Sequence, residues 1–146
     1  MKNISANNKI TLHSTLVAAG TGLITPASGV DMANFETCLF IVSFGAIVSG
    51  AATSIEVHQS ADDSSYAALL GSNVTVVDTA DDTIVYIEVN KPIDQYLKCL
   101  VNRATQNATV NSIVALQGGP RVAPVTHDSS TVTTGEFHVS PAEGTA

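Results

Sequence analysis

Ser54-Ile55-Glu56-Val57-His58-Gln59 alternates apolar and polar side chains with a period of two. Successive side chains of a strand point to opposite faces, so Ile55 and Val57 face a core while Glu56 and His58 face away. This is the pattern of a half-buried antiparallel strand. On both sides of it, short runs rich in Val, Ile, Thr and Tyr recur between clusters of Gly, Pro, Asp and Asn, which is the strand-and-turn signature. Strands are expected over Ile10–Ala18, Phe35–Phe44, Thr53–Ser60, Tyr66–Leu70, Val74–Val77, Thr83–Val89, Tyr96–Asn102 and Val110–Leu116. No segment carries a 3.6-residue period of helix length. The fold class that follows is all-β: an antiparallel two-sheet β-sandwich, jelly-roll-like, of about eight strands. A compact barrel is the nearest alternative.

Phe35–Phe44 is an almost unbroken apolar run. Such a run fits a central strand covered on both faces, by the fold itself or by a neighbouring subunit. Leu39–Phe44 is assigned to the core.

The chain has 146 residues, enough for one domain with its own core. Residues 1–9 read as a polar N-terminal arm, 10–117 as the sandwich and 118–146 as an extended C-terminal arm. The last segment holds three prolines (Pro120, Pro124 and Pro141) and is rich in Ser and Thr, so it cannot build a core of its own. Val122, Val125, Val132, Phe137 and Val139 give it apolar anchor points. Strand addition to a neighbour's sheet is one route to ordering it.

Six basic and 13 acidic residues leave a net charge of −7. A nucleic-acid surface needs clustered cations, and an anionic membrane surface needs them too. Neither partner is expected. Only 13% of residues are charged, against about 25% in ordinary soluble domains. The exterior is therefore largely neutral and hydroxyl-rich, cheap to desolvate against another protein. The longest apolar run, Cys38–Val48, is interrupted by Ser43 and Gly45 and falls far short of the roughly 20 residues that span a bilayer. No apolar segment follows the basic residues Lys2 and Lys9, so no secretory signal is expected. Cys38 and Cys99 lie in apolar stretches and read as buried free thiols of a reducing compartment, an inter-strand disulfide being the other reading. The triplets at Asn3, Asn73 and Asn107 that match a glycosylation acceptor are read as chance.

Motifs that carry chemistry are missing. The four histidines (His13, His58, His127 and His138) form no metal-binding spacing. Glu56 and His58 share a strand face but read as solvent-facing side chains. Asp62-Asp63 and Asp81-Asp82 do not follow a calcium loop and fit turns, where Asp bonds its own backbone. There is no Gly-x-Ser-x-Gly elbow and no phosphate loop. The expectation is a protein that is not an enzyme and holds no cofactor or metal.

Three stretches resemble a known family. The first is Ile55-Glu56-Val57-His58-Gln59-Ser60-Ala61-Asp62-Asp63-Ser64-Ser65-Tyr66, a strand ending in Gln-Ser, an acidic Ser-rich turn and an aromatic. The second is Ile93-Asp94-Gln95-Tyr96-Leu97-Lys98-Cys99-Leu100-Val101, and the third is Val114 to Val125 with its Pro120-Arg121-Val122-Ala123-Pro124 exit. In this order, over roughly residues 50–125, they resemble the small β-sandwich cement (capsid decoration) proteins of tailed bacteriophages. Ala61, Ser64 and Gln95 depart from that pattern, where the family has Asp, Gly and a basic residue.

The resemblance implies a structural virion protein on the outer capsid surface, made in the host cytoplasm. It implies a homo-trimer that binds the major capsid protein and stabilises contacts between its subunits. The partner-binding residues expected on the C-terminal arm are Arg121, Val122, Pro124, Val125, Phe137 and Val139, with Arg121 as the candidate for an intersubunit ion pair. Two other readings stay open: a neck, tail or fibre-base virion component on the same fold, and a carbohydrate-binding β-sandwich module using Tyr66 or Tyr86.

Overall fold

The computed structural model describes residues 3–145. One helical turn, α1 (Ile4–Asn7), precedes ten strands: β1 (Lys9–Ser14), β2 (Val17–Gly20), β3 (Val30–Asp31), β4 (Thr37–Ile47), β5 (Ala52–Ser60), β6 (Ala67–Ala68), β7 (Val74–Val76), β8 (Ile84–Asn90), β9 (Tyr96–Ala104) and β10 (Ala108–Gly118). They form two antiparallel sheets of five strands each, a β-sandwich. Sheet A runs β1-β10-β4-β8, with β2 also on β10; sheet B runs β3-β9-β5-β6, with β7 also on β5.

Alternation builds the core. β4 sends Cys38, Phe40, Val42 and Phe44 inward, all fully buried. Ile55 and Val57 of β5, Leu97, Cys99 and Val101 of β9, and Ile113 and Ala115 of β10 meet them from the other strands. Each inward side chain of this kind removes about 2 kcal/mol worth of apolar surface from water. Interdigitation of two such faces is what holds a sandwich together.

Several strand limits differ from the sequence expectation, each for a local reason. Ile10–Ala18 divides into β1 and β2. The register slips between Leu12 and Ser14, a bulge at His13 that bends the strand. Tyr66–Leu70 contracts to β6, because Gly71 at φ 77 and the Ser72 N–H to Leu69 carbonyl bond turn the chain. β3 has no alternating signal, being two residues paired to Leu97 and Tyr96. At the N-terminus, Asn3 caps α1 by accepting the Ala6 N–H on Oδ1 at 3.1 Å, a familiar use of Asn. Met1, Lys2 and Ala146, parts of the two expected arms, lie outside the described residues.

Candidate functional site

The outward faces of the two sheets differ in chemistry. On sheet A, cross-strand register places Ile10, Leu116 and Leu39 in one row, and Leu12, Val114, Ile41 and Tyr86 in the next. Ser112, Ser43 and Ile84 form a third row. Ile84 and Tyr86 are 64% and 65% exposed; the other apolar members are half-buried. The charged side chain at the outward positions of these strands is Glu88, whose Oε1 accepts the Thr37 hydroxyl at 2.9 Å. Strand spacing and rise make this face roughly 400 Å² in plan, the size at which apolar patches mark interaction sites. The Leu39–Phe44 segment assigned wholly to the core is thus split: Phe40, Val42 and Phe44 are core, while Leu39 and Ile41 belong to the outer face.

Sheet B presents polar groups instead. Ser54, Glu56, His58, Lys98 and Asn102 occupy its outward positions. Glu56 Oε1 and His58 Nε2 are 2.8 Å apart. Beside them the acidic turn is closed by its own side chains. Asp62 Oδ1 accepts the Ser60 hydroxyl and the N–H groups of Ser64 and Ser65 at 2.8, 3.0 and 2.9 Å. These bonds hold the Asp62 carboxyl well below its usual range. Asp63, at φ 56, accepts the Tyr66 hydroxyl and the Gly29 N–H on Oδ1. The Lys98 ammonium sits 4.0 Å from the Tyr66 ring centroid and donates to the Ala27 carbonyl at 3.0 Å. Tyr66 is therefore occupied within the fold.

Between the sheets lie groups that the sequence did not single out. Arg103 is 7% exposed and faces no carboxylate within ion-pair distance among the described residues. Its guanidinium donates to the carbonyls of Gly22, Ala18 and Ala108 at 2.8, 2.8 and 2.9 Å, and burial lowers its pKa. Gln117 Nε2 donates to the Asp31 carbonyl at 2.7 Å, joining β10 to β3. Cys38 and Cys99, which the sequence did single out, lie here too as the expected buried free thiols. Burial pushes both thiol pKa values up, that of Cys99 to about 12. A thiol so far from its thiolate is a structural residue, not a nucleophile.

The C-terminal arm leaves β10 through Gly118 and Gly119. Gly119 has φ 62, and a Cβ there would lie 2.9 Å from Glu36 Cβ, so only glycine fits this exit. The Arg121 N–H then donates to the Asn34 carbonyl at 2.9 Å, and the Val125 N–H to the Ala6 carbonyl at 2.9 Å. His127 Nδ1 accepts the Ile10 N–H at 3.1 Å. This backbone stitching lays residues 121–127 along α1 and the free edge of β1. Of the expected contact residues, Pro124 and Val125 line an open depression with Val122, Phe35 and Lys9. Arg121 borders a second depression with Glu36, Lys91 and Asp94. Its guanidinium makes no ion pair within 4 Å among the described residues. Phe137 and Val139 stand apart from these four, 51% and 67% exposed, on an extended segment. Among the described residues no helix is long and apolar enough to cross a membrane.

No protein-family model matches the chain, and no curated protein matches it. Among solved structures, a chain of the infectious bursal disease virus Gx strain is similar at 14% identity and a TM-score of 0.42. The match covers 82% of this chain and 32% of that one, so the chain spans about a third of its length.

Proposed function

We propose that the chain is a structural virion protein that works as a capsid cement (decoration) protein, binding the major capsid protein on the outer capsid surface as a homo-trimer. The observation that carries the proposal is the outer face of sheet A. It sets Leu39, Ile41, Val114 and Leu116 in register across the middle of the sheet, with Glu88 as its charged member. A rigid sandwich with one dry, weakly charged face is suited to lie against a protein wall, and repetition over a symmetric shell lets individually weak contacts add up. The three stretches that resemble tailed-phage cement proteins supply the kind of wall. The stitched part of the arm, with Arg121 in no ion pair among the described residues and Val122 76% exposed at its surface, supplies further contacts at the rim of the domain.

The test is the copy number of this chain in purified particles from its source, by quantitative mass spectrometry against the major capsid protein. A number comparable to the capsid protein is the expected result. A few copies per particle would move the chain to a neck, tail or fibre base. Absence from particles would overturn the virion reading.

A further inference from the structure

Sheet edges expose unpaired N–H and C=O groups, and folded proteins keep them short, covered or charged. Three flanks of this sandwich follow that rule. β3 has two residues, β6 and β7 have two and three, and β1 is overlaid by the arm through the Ile10 to His127 bond. β8 does not. It is seven residues long, Ile84-Val85-Tyr86-Ile87-Glu88-Val89-Asn90, and pairs with β4 on one side only. The Lys91 N–H to Glu36 and Phe44 N–H to Thr83 bonds set the phase of that ladder. By alternation, Val85, Ile87 and Val89 bond to β4, whereas Ile84, Tyr86 and Glu88 aim their N–H and C=O at the open side.

The same chain carries a segment of strand-like alternation that belongs to no sheet. Thr133-Thr134-Gly135-Glu136-Phe137-His138-Val139 has no regular secondary structure and pairs with no strand among the described residues. Phe137 and Val139 lie on one side of it. Glu136 and His138 lie on the other, joined by a 2.8 Å contact between Oε2 and Nε2. The alternation is that of an amphipathic strand, and its apolar members Phe137 and Val139 are exposed.

We propose that this segment of one copy adds antiparallel to β8 of a second copy. The register that places Phe137 beside Tyr86 also places Val139 beside Ile84 and Gly135 beside Glu88, and extends the apolar face of sheet A by one strand. Thr133–Val139 then matches Asn90–Ile84 residue for residue. Pro141 falls beyond β8, beside the Asp82 turn, where its missing N–H is not needed. A shift of two residues would set Phe137 against Glu88 and Pro141 against Ile84, losing a bond and desolvating a charge. The segment's own β8 is poorly placed to receive it. The arm leaves at the β1 edge, three strands away, or about 14 Å. Asp128, Thr131 and Val132 are folded into a turn by two backbone bonds and do not span that distance. Donor edge and acceptor edge lie on opposite sides of the sheet, so the contact is head-to-tail and closes into a ring when the rotation allows. It does not depend on what the assembled copies bind.

The test uses two full-length variants, Tyr86→Cys and Phe137→Cys, mixed and oxidised without any capsid present. Both positions are exposed, and paired Cα atoms of such a ladder lie within disulfide reach. The expected product is a covalent dimer joined at residues 86 and 137 by peptide mapping. Its absence overturns the proposal. So does an internal 86–137 disulfide as the main product when both cysteines are placed in one chain, because that shows the arm folding back on its own β8. In a second measurement, wild-type chain sediments as an oligomer, and Phe137→Lys/Val139→Lys weakens association by at least about tenfold with unchanged thermal unfolding of the sandwich. A monomeric wild type, or a variant that associates like it, overturns the proposal while leaving capsid binding to be decided by particle copy number.

Discussion

His13 Nε2 accepts the backbone N–H of Cys99 at 3.3 Å, so a side chain of sheet A fills a gap in the ladder of sheet B. The flank of β9 is bonded by β3 at Tyr96 and Leu97 and bridged by Ile24 at Val101; Cys99 lies between them. The imidazole also packs on Phe40, with ring centroids 5.3 Å apart. As an acceptor at Nε2, the ring must be neutral. Burial, and then the nearby Lys98 charge, lowers its pKa from 6.5 to about 4, against a smaller opposing effect of Asp63. The unfolded chain therefore takes up a proton between these values that the folded chain does not. The stability from neutral His13 is full above pH 6.5 and is lost as pH falls toward 4, a difference of about 3 kcal/mol at most. Asp62, Asp63 and Asp128 have lowered pKa values, so they act in the more acid range, below the usual carboxylate pKa of about 3.9. Urea unfolding from pH 7 to 4.5 measures this slope. His13→Gln, which keeps an acceptor without the titration, is expected to flatten it.

Arg103 closes the same side of the sandwich through three carbonyls and no carboxylate. Arg103→Met leaves these acceptors without their donor, at an expected cost of about 2–4 kcal/mol. Arg103→Lys keeps the charge but not the planar fork that reaches Gly22, Ala18 and Ala108 together, and is expected to recover less than half of the loss. Chemical denaturation of the three proteins checks the order. Equal stability of Lys and wild type would show that charge alone suffices.

How far such features can be read in advance depends on whether they leave a periodic trace. β5 does: Ile55 and Val57 against Glu56 and His58 is an unambiguous alternation, and Ser60 ends the strand as the acidic turn predicts. β4 does not, because Leu39 and Ile41 are as apolar as Phe40 and Val42. An apolar outer face and a core face on one strand erase each other's period, and only pairing with Val114 and Leu116 separates them. Arg103 and His13 are single polar residues in apolar surroundings. Apart from the Ala108 carbonyl beside Arg103 in sequence, their roles depend on carbonyl and N–H groups 81–86 positions distant, which no local pattern encodes. The prolines and scattered valines after Gly118 mark the segment as one that builds no core of its own. Its stitching to Ala6 and Asn34 uses backbone atoms and leaves no side-chain signature.

Gly29 has a tertiary reason to lack a side chain. Its N–H donates to Asp63 Oδ1 at 2.7 Å; a Cβ on Gly29 would collide with the Tyr66 hydroxyl and would itself lie 3.0 Å from both Asp63 Oδ1 and Tyr96 Cβ. Gly29→Ala is expected to push apart the Asp63–Tyr66 contact and destabilise the domain by about 1–3 kcal/mol. In thermal unfolding, Gly29→Ala placed in a Tyr66→Phe background should cost less than it does alone, because the colliding hydroxyl is gone. Equal costs would place the strain elsewhere.

Cys38 and Cys99 are closed to reagents as well as to ionisation. Both are fully buried and have raised pKa values. Neither is expected to react with a thiol reagent at pH 8 in native buffer over the time in which both react in denaturant. The rate then reports opening of the sandwich. Rapid native labelling of one thiol would mean that the sheets part locally at that strand.

Ile41 separates fold from function most cleanly. It lies at the centre of the outer face of sheet A, between Val114 and Tyr86, and its side chain does not enter the core. Ile41→Thr keeps a β-branched side chain on a central strand and is expected to cost about 1 kcal/mol or less in stability. Ile41→Lys puts a charge in the middle of a dry contact and is expected to weaken binding to particles stripped of this chain by at least about thirtyfold, or roughly 2 kcal/mol. Asn102→Lys, exposed on the outer face of sheet B, adds the same charge where no contact is proposed and should bind like wild type. Co-sedimentation of the three variants with such particles distinguishes the faces. If Ile41→Lys and Asn102→Lys bind equally well, sheet A does not face the shell, and the stitched arm with Arg121 and Val122 must carry the contact alone.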